Sequence, residues 1–309
     1  MNALATFTEV RPDGDAPGTD VDADAGPEPT EVTPPPPSTR ARFGRIGSHV
    51  VLGLLSLVAV FPVYWMFSTS LKPANEVFDQ SWWPQNPTLE NYRAVWDTIP
   101  IGRMLWNTVQ MAAIVTVGQL FVALFAAYAF ARWRFPGERV LFLLFVATWL
   151  IPFQVTMIPN YVLLARLGWL NTVWAIVMPQ LSAAFAIVLL RQHLKAFPSE
   201  LVDAARMDGA SSWGILWRVV VPNIRAPLAA LAILLFVSAW NEYFWPLLAI
   251  RDIDRSVVQI GLQMYLSQES GDQWGPLMAA AGIASLPILL LYVVLQRHVI
   301  DAFVRSGLK

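Results

Sequence analysis

The 309 residues include no cysteine, which excludes disulfides and thiolate metal sites and leaves the redox compartment open. Lysine is nearly missing: Lys72, Lys195 and Lys309 are the only three, and none is followed by Ser or Thr. No Gly-rich phosphate loop closing on Lys-Ser/Thr therefore exists, and the chain cannot be its own ATPase. The three histidines, His49, His193 and His298, are isolated from one another in sequence, which offers neither a metal cluster nor a catalytic pair. No Gly-x-Ser-x-Gly segment supplies a hydrolase nucleophile. Charge is scarce too, at 14% of residues where soluble domains carry about a quarter. The expectation is a non-catalytic chain with no metal or cofactor of its own.

What is present is apolar. Hydrophobic residues make up 56% of the chain and mean hydropathy is +0.48, the composition of an integral membrane protein. Six apolar runs, at about 49–70, 106–131, 140–158, 172–190, 226–249 and 276–296, each approach the ~20 residues that a helix needs to cross the hydrocarbon core. Pro62, Pro152, Pro179, Pro246 and Pro287 lie inside runs and predict kinks. Fourteen Lys and Arg fall in the segments 40–45, 132–139, 191–225 and 297–309, against six in the alternate loops. The positive-inside rule then makes both termini and the 191–225 loop cytoplasmic. Trp82, Trp83, Trp96, Trp106, Trp169, Trp174 and Trp274 stand near run ends, as an interfacial belt would.

Glu242 is the only acidic or basic residue inside any run. A carboxylate at a span's centre costs about 2.5–3.5 kcal/mol, so it should face a polar cavity or a partner. At ~1.5 Å per residue from Ala226 it lies about 24 Å along its run, toward the outer end. Two roles follow for Asn241 and Glu242: lining a translocation pathway, or forming a structural hydrogen-bonded pair.

Residues 1–44 form an acidic, Pro-rich segment expected to be disordered, with the membrane domain at 45–309. It does not read as a signal peptide, because acidic residues come where a basic region and an apolar core belong.

One polar island interrupts the apolar pattern, from Phe197 to Pro222. Ser199 can cap a short helix, Glu200 and Asp203 suit its positive end, and Gly209 suits a left-handed stop. Ser211 or Ser212 can cap a second helix, on which Trp213, Leu216, Trp217 and Val220 form one stripe closed by Pro222. The stripe needs a surface to lie on, whereas the first helix and its Gly turn are left projecting. A DNA-binding helix-turn-helix has the same outline, but few basic residues between two spans make a poor phosphate surface. An ordinary loop between spans is the other plain reading.

The island resembles the cytoplasmic coupling loop of binding-protein-dependent ABC importer permeases: Glu-Ala-Ala, a Gly four residues on, and a distal Pro. The matching positions are Asp203-Ala204-Ala205, Gly209 and Pro222, with Asp203 where that family usually has Glu. Ser70-Leu71-Lys72-Pro73, Pro87 to Tyr92, Arg134-Phe135-Pro136-Gly137, Ile151-Pro152 with Ile158-Pro159, and Trp240 to Leu247 resemble the maltose-type carbohydrate permeases, more narrowly the second permease of the pair. The resemblance covers about 45–309. It implies an all-α membrane protein of six transmembrane helices in the ABC importer permease (MetI-like) fold. A coupling helix-turn-helix at about 192–225 would join spans 4 and 5.

By the same resemblance Glu200, Asp203, Ala204, Ala205, Asp208, Gly209 and Pro222 would seat on an ATPase. The implied partners are a second, different permease, a homodimer of cytoplasmic ABC ATPase that holds the ATP and Mg, an extracytoplasmic solute-binding protein and the lipid bilayer, with no nucleic acid. The implied cargo is a sugar, oligosaccharide or glycerol phosphate, and the implied location a bacterial-type cytoplasmic membrane. Two rival classes fit less well. A secondary transporter should carry several intramembrane ionisable groups where this chain has Glu242 alone, and a non-transporting scaffold gives no reason for the island.

Overall fold

The computed structural model describes residues 39–79, 81–266 and 273–307, and all regular structure among them is helical. The chain divides into two compact units, Met1–Ser56 and Leu57–Lys309. The described part of the first is the start of α1 (Thr39–Ser70), which begins inside the 1–44 segment; the rest of that segment lies outside the described residues. Beyond the Pro34–Pro37 run, Arg40, Ala41 and Arg42 are good helix formers and nothing breaks the helix. Val50, Val51, Leu52, Leu54 and Leu55 are all exposed, an apolar surface suited to lipid.

In the second unit α1 is followed by α2 (Glu90–Thr98), α3 (Ile101–Arg132), α4 (Glu138–Trp149), α5 (Phe153–Arg166), α6 (Val173–Val177) with a 3-10 turn at Met178–Gln180, and α7 (Ala184–Lys195). Next come α8 (Ser199–Met207), α9 (Ser212–Ile215), a π-helical turn at Leu216–Val220, α10 (Val221–Asn223), α11 (Arg225–Trp240), α12 (Phe244–Ala249), α13 (Val258–Gln263) and α14 (Trp274–Gly307). Among the described residues three helices are long and apolar enough to cross a membrane: Gly47–Ser70, Ile101–Arg132 and Trp274–Val294. Three bent pairs pass the same test together: α4 with α5 at 93°, Val173–Gln180 with α7 at 48°, and Ser212–Asn223 with α11 at 79°.

Proline explains where several helices break. It has no N–H for the carbonyl four residues back, and its ring presses on that carbonyl. Pro246 does this to Glu242: α11 stops at Trp240 and α12 starts anew at Phe244, so the run 226–249, expected as one kinked helix, is two. The run 140–158 is likewise bent, by 93° just before α5, whose N-cap is Pro152, a sharper break than the kink expected there. In 172–190 Pro179 lies in the 3-10 turn before α7. Pro222 withholds a donor from Arg218, inside the wider π turn. Pro62 and Pro287, in contrast, are absorbed within α1 and α14.

Helix α3 is the spine, packed against α7 and α11, while α14 packs on α11 and α2. It serves two separate apolar clusters. Its first half brings Met104, Met111 and Val115 to a core with Ile176, Trp240, Trp245 and Val258. Its second half brings Ala123, Leu124 and Ala127 to a core with Ile187, Leu190, Leu216 and Leu231. Gln119 lies on α3 between them.

Two of the motifs singled out in the sequence meet in space. Asn91 is buried and donates through Nδ2 to the carbonyls of Ser70 (2.9 Å) and Lys72 (2.7 Å), and the Ser70 and Tyr92 hydroxyls are 2.8 Å apart. The Lys72 side chain is fully buried; its Nζ donates to the carbonyls of Asp79 and Ser81 and lies 5.0 Å from the Trp65 ring. Nearby, the Glu76 carboxylate accepts from Asn86 Nδ2 (2.6 Å) and from the backbone N–H groups of Gln85 and Asn86. The Asn86 side chain above all holds its pKa below the ordinary carboxylate value. Ser70–Lys72 and Pro87–Tyr92 thus brace the long loop between α1 and α3.

Candidate functional site

The polar island is a projecting helix and an anchored one. Helix α8 buries only Val202, and Glu200, Asp203, Ala204 and Asp208 are exposed while Ala205 is half-buried. Ser199 is the first helical residue rather than the cap: Pro198 holds the cap position, with no side-chain hydrogen bond, and fixes the entry by its own restricted φ. Asp203 forms an ion pair with Arg206 at 3.3 Å, both side chains more than half exposed (63% and 54%). Such a pair contributes about 0–1 kcal/mol, so the carboxylate remains available to a stronger cation.

Gly209 ends the helix at φ +80°. Its N–H donates to Arg206 O and the Ala210 N–H to Ala205 O, each at 3.0 Å, the paired bonds of a Schellman stop. A β-carbon on Gly209 would meet nothing within 4 Å, so glycine is required there by backbone conformation and not by crowding.

Ser211 caps the second helix, accepting from the Gly214 N–H at 3.2 Å. Its expected stripe is only half buried. Leu216 and Val220 enter the core with Ile215, whereas Trp213 and Trp217 stay 61% and 38% exposed. The π turn rotates the face that meets the core, and both Trp rings instead cover Phe125 of α3, Trp213 stacked at 5.5 Å and Trp217 edge-on at 6.3 Å. Pro222 is exposed on α10, and the helical run ends one residue later at Asn223. The second helix therefore lies on the protein's own α3 and α7 core, and α8 with its turn stands out from it.

A second candidate lies at Glu242. Asn241 and Glu242 do not bond each other: Asn241 Nδ2 donates back to Val237 O at 2.9 Å, and Glu242 Oε1 accepts the Trp245 N–H at 3.1 Å. Each therefore finishes or starts a helix. Trp245 is fully buried, donating through Nε1 to Ala175 O at 2.9 Å. Glu242 also lines a pocket of about 240 Å³ with Gln119, Gln154, Gln180 and Ser182, walled by Phe153, Met157, Pro179 and Phe244. Asn241 is not among the lining residues.

The glutamines escaped the sequence reading because it sought ionisable groups in the apolar runs. Their signal was present all the same: amides at 119, 154 and 180, two of them within two residues of a proline. Gly118 precedes Gln119 on α3, and a β-carbon there would run into the end of the Leu181 side chain. Gln119 Nε2 donates to Gln180 O at 2.7 Å, joining α3 to the 3-10 turn.

Residues 119–305 match the model of the family described as binding-protein-dependent transport system inner membrane component. The chain belongs to this family. Among similar members of known designation, the sn-glycerol-3-phosphate transport system permease protein UgpE of Pectobacterium atrosepticum is 33% identical over 270 residues, 84% of this chain and 96% of that one. The lactose transport system permease protein LacG of Rhizobium radiobacter is 30% identical over 267 residues, 86% of this chain and 97% of that one. A solved structure, of a bacterial ABC transporter involved in the import of the acidic polysaccharide alginate, superposes with a TM-score of 0.73 at 26% identity, covering 85% of this chain and 99% of that one. The family match takes in both the α8–Gly209 projection and the pocket around Glu242.

Proposed function

We propose that the chain is the permease subunit of an ATP-driven, binding-protein-dependent importer of carbohydrate, a sugar, oligosaccharide or glycerol phosphate. Nearly end-to-end similarity to UgpE and LacG, whose names describe glycerol phosphate and lactose permeases, carries the proposal. Up to six crossings are reached if each bent pair contributes one span, the third of them through α11 with Ser212–Asn223 left outside it. The excess of Lys and Arg in alternate loops puts both termini and the α8–α10 segment on the cytoplasmic side.

There α8 acts as the coupling element. Glu200, Asp203, Ala204, Ala205 and Asp208 offer the contact surface, Gly209 sets the turn, and Pro222 ends the anchored arm. ATP hydrolysis belongs to a homodimer of separate ATPase chains, a second permease completes the path, and a solute-binding protein delivers cargo outside. Because the anchored helix packs on α3 and α7, a push on α8 is passed to helices that line the path. Alternating access follows: closure of the ATPase dimer moves α8 and the outer ends of the spans part.

The test is mild-detergent purification of the tagged chain from its native membrane. A second permease and an ATPase should copurify, with ATPase capture lost in Gly209→Val. Recovery of the chain alone through several detergents would refute the importer reading.

A further inference from the structure

Three interruptions converge on the pocket of Glu242. Gln154 follows the break between α4 and α5, Gln180 precedes and Ser182 lies within the one before α7, and Glu242 lies between α11 and α12. Gln119 completes the set from α3, about 27 Å along a helix of about 48 Å, near mid-length and between the two apolar clusters. Irregular backbone at membrane depth is tolerated only where protein buries it or a polar cavity solvates it. Here it opens on a polar cavity.

The side chains present both acceptors and donors. Gln119 and Gln180 each spend one of two amide N–H donors on the carbonyls of Gln180 and Ile176 (2.7 and 3.0 Å), and a backbone carbonyl can only accept. Both amide oxygens are thereby left uncommitted. Glu242 uses Oε1 on Trp245 N–H, leaving Oε2. Among the described residues Gln154 and Ser182 make no side-chain hydrogen bond. Among the described residues no Lys, Arg or His lines the pocket. Hydroxyl groups, which both donate and accept, match such a mixed set; phosphate and carboxylate, which bring negative charge, would face Glu242 with no cation among the described lining residues to offset it. At about 240 Å³ the space is below the ~300–1,000 Å³ of a complete small-molecule site, so the partner permease must supply the rest.

We infer that Gln119, Gln154, Gln180, Ser182 and Glu242 form a half-site that reads the hydroxyls of a neutral polyol or sugar in transit. The inference rests on the importer reading and narrows its cargo. In it Gln154 binds solute directly and carries no other bond.

The test uses the intact importer with its copurified partners in proteoliposomes, measuring ATP-driven uptake of paired probes: glycerol against sn-glycerol-3-phosphate, glucose against glucose 6-phosphate, lactose against alginate oligomers. Uptake should favour a neutral member. Gln154→Ala should raise its KM about three- to tenfold, the loss of one or two hydrogen bonds, at unchanged ATPase capture and membrane abundance. Exclusive uptake of anionic members, or an unchanged KM in Gln154→Ala, overturns the half-site while leaving the importer standing. Absence of any uptake together with absence of a captured ATPase removes the importer reading and the half-site with it.

Discussion

Replacing Gly209 with Val, Ala and Asn separates the shape of the α8 turn from its stability. Holding an L-residue in the left-handed region costs about 1–2 kcal/mol, least for Asn, and more for a β-branched residue. Abandoning that conformation forfeits the bonds from Gly209 N–H to Arg206 O and from Ala210 N–H to Ala205 O, each about 0.5–1.5 kcal/mol. The smaller loss wins: Asn and Ala keep the turn, and Val opens it. No atom lies within 4 Å of the added β-carbon and the residue is exposed, so the cost stays local and the membrane abundance of all three variants should equal that of the parent. ATP-driven uptake per molecule and ATPase capture should then be near normal in Gly209→Asn, and fall about tenfold or more in Gly209→Val if the misplaced turn loses at least ~1.4 kcal/mol of contact with the ATPase. Full capture and uptake in Gly209→Val at equal abundance would refute the coupling role.

Other perturbations bear on the frame. Trp245→Phe strands the buried carbonyl of Ala175 and should cost about 1–3 kcal/mol, lowering the unfolding midpoint of the purified chain by several degrees in a thermal scan. Gly275→Ala would bring a β-carbon within 2.5 Å of Asn91 Oδ1, and Asn91 is held by two carbonyls; about 1–3 kcal/mol of destabilisation is expected, read by the same scan. The depressed pKa of Glu76 makes its stabilising contribution complete above the unfolded-state value and lost as pH falls through the folded-state value. Proteolysis of the 76–86 loop should therefore rise in acid, and Glu76→Gln should make it faster at neutral pH and flatten the dependence.

Much of the site was legible in local chemistry. Gly209 at the end of a helix, Ser211 before the next, and the acidic and small residues of Glu200 to Asp208 act within a few positions of one another, so their arrangement follows from spacing alone. Ser199 failed as a cap because Pro198, one residue earlier, took that position. The stripe through Trp213 failed because a π turn ahead of Pro222 changed the period that the pattern assumed. Glu242 was legible as an anomaly, but its partners were not: Gln119, Gln154 and Gln180 come from three helices, and neutral amides raise no alarm in a hydropathy profile.

The sequence by itself determined an apolar, multi-helix membrane chain, a polar helix-turn-helix in its longest basic loop, and a lone carboxylate within the apolar runs. These rest on composition, charge and i to i+4 chemistry, which need no knowledge of neighbours. Only the tertiary structure decided that Pro152, Pro179 and Pro246 sit at helix breaks while Pro62 and Pro287 are absorbed, that Asn91 ties two distant motifs together, and that the breaks meet at one polar pocket. Those facts depend on which helix α3 packs against and at what height, and packing of distant segments is not encoded in any local period.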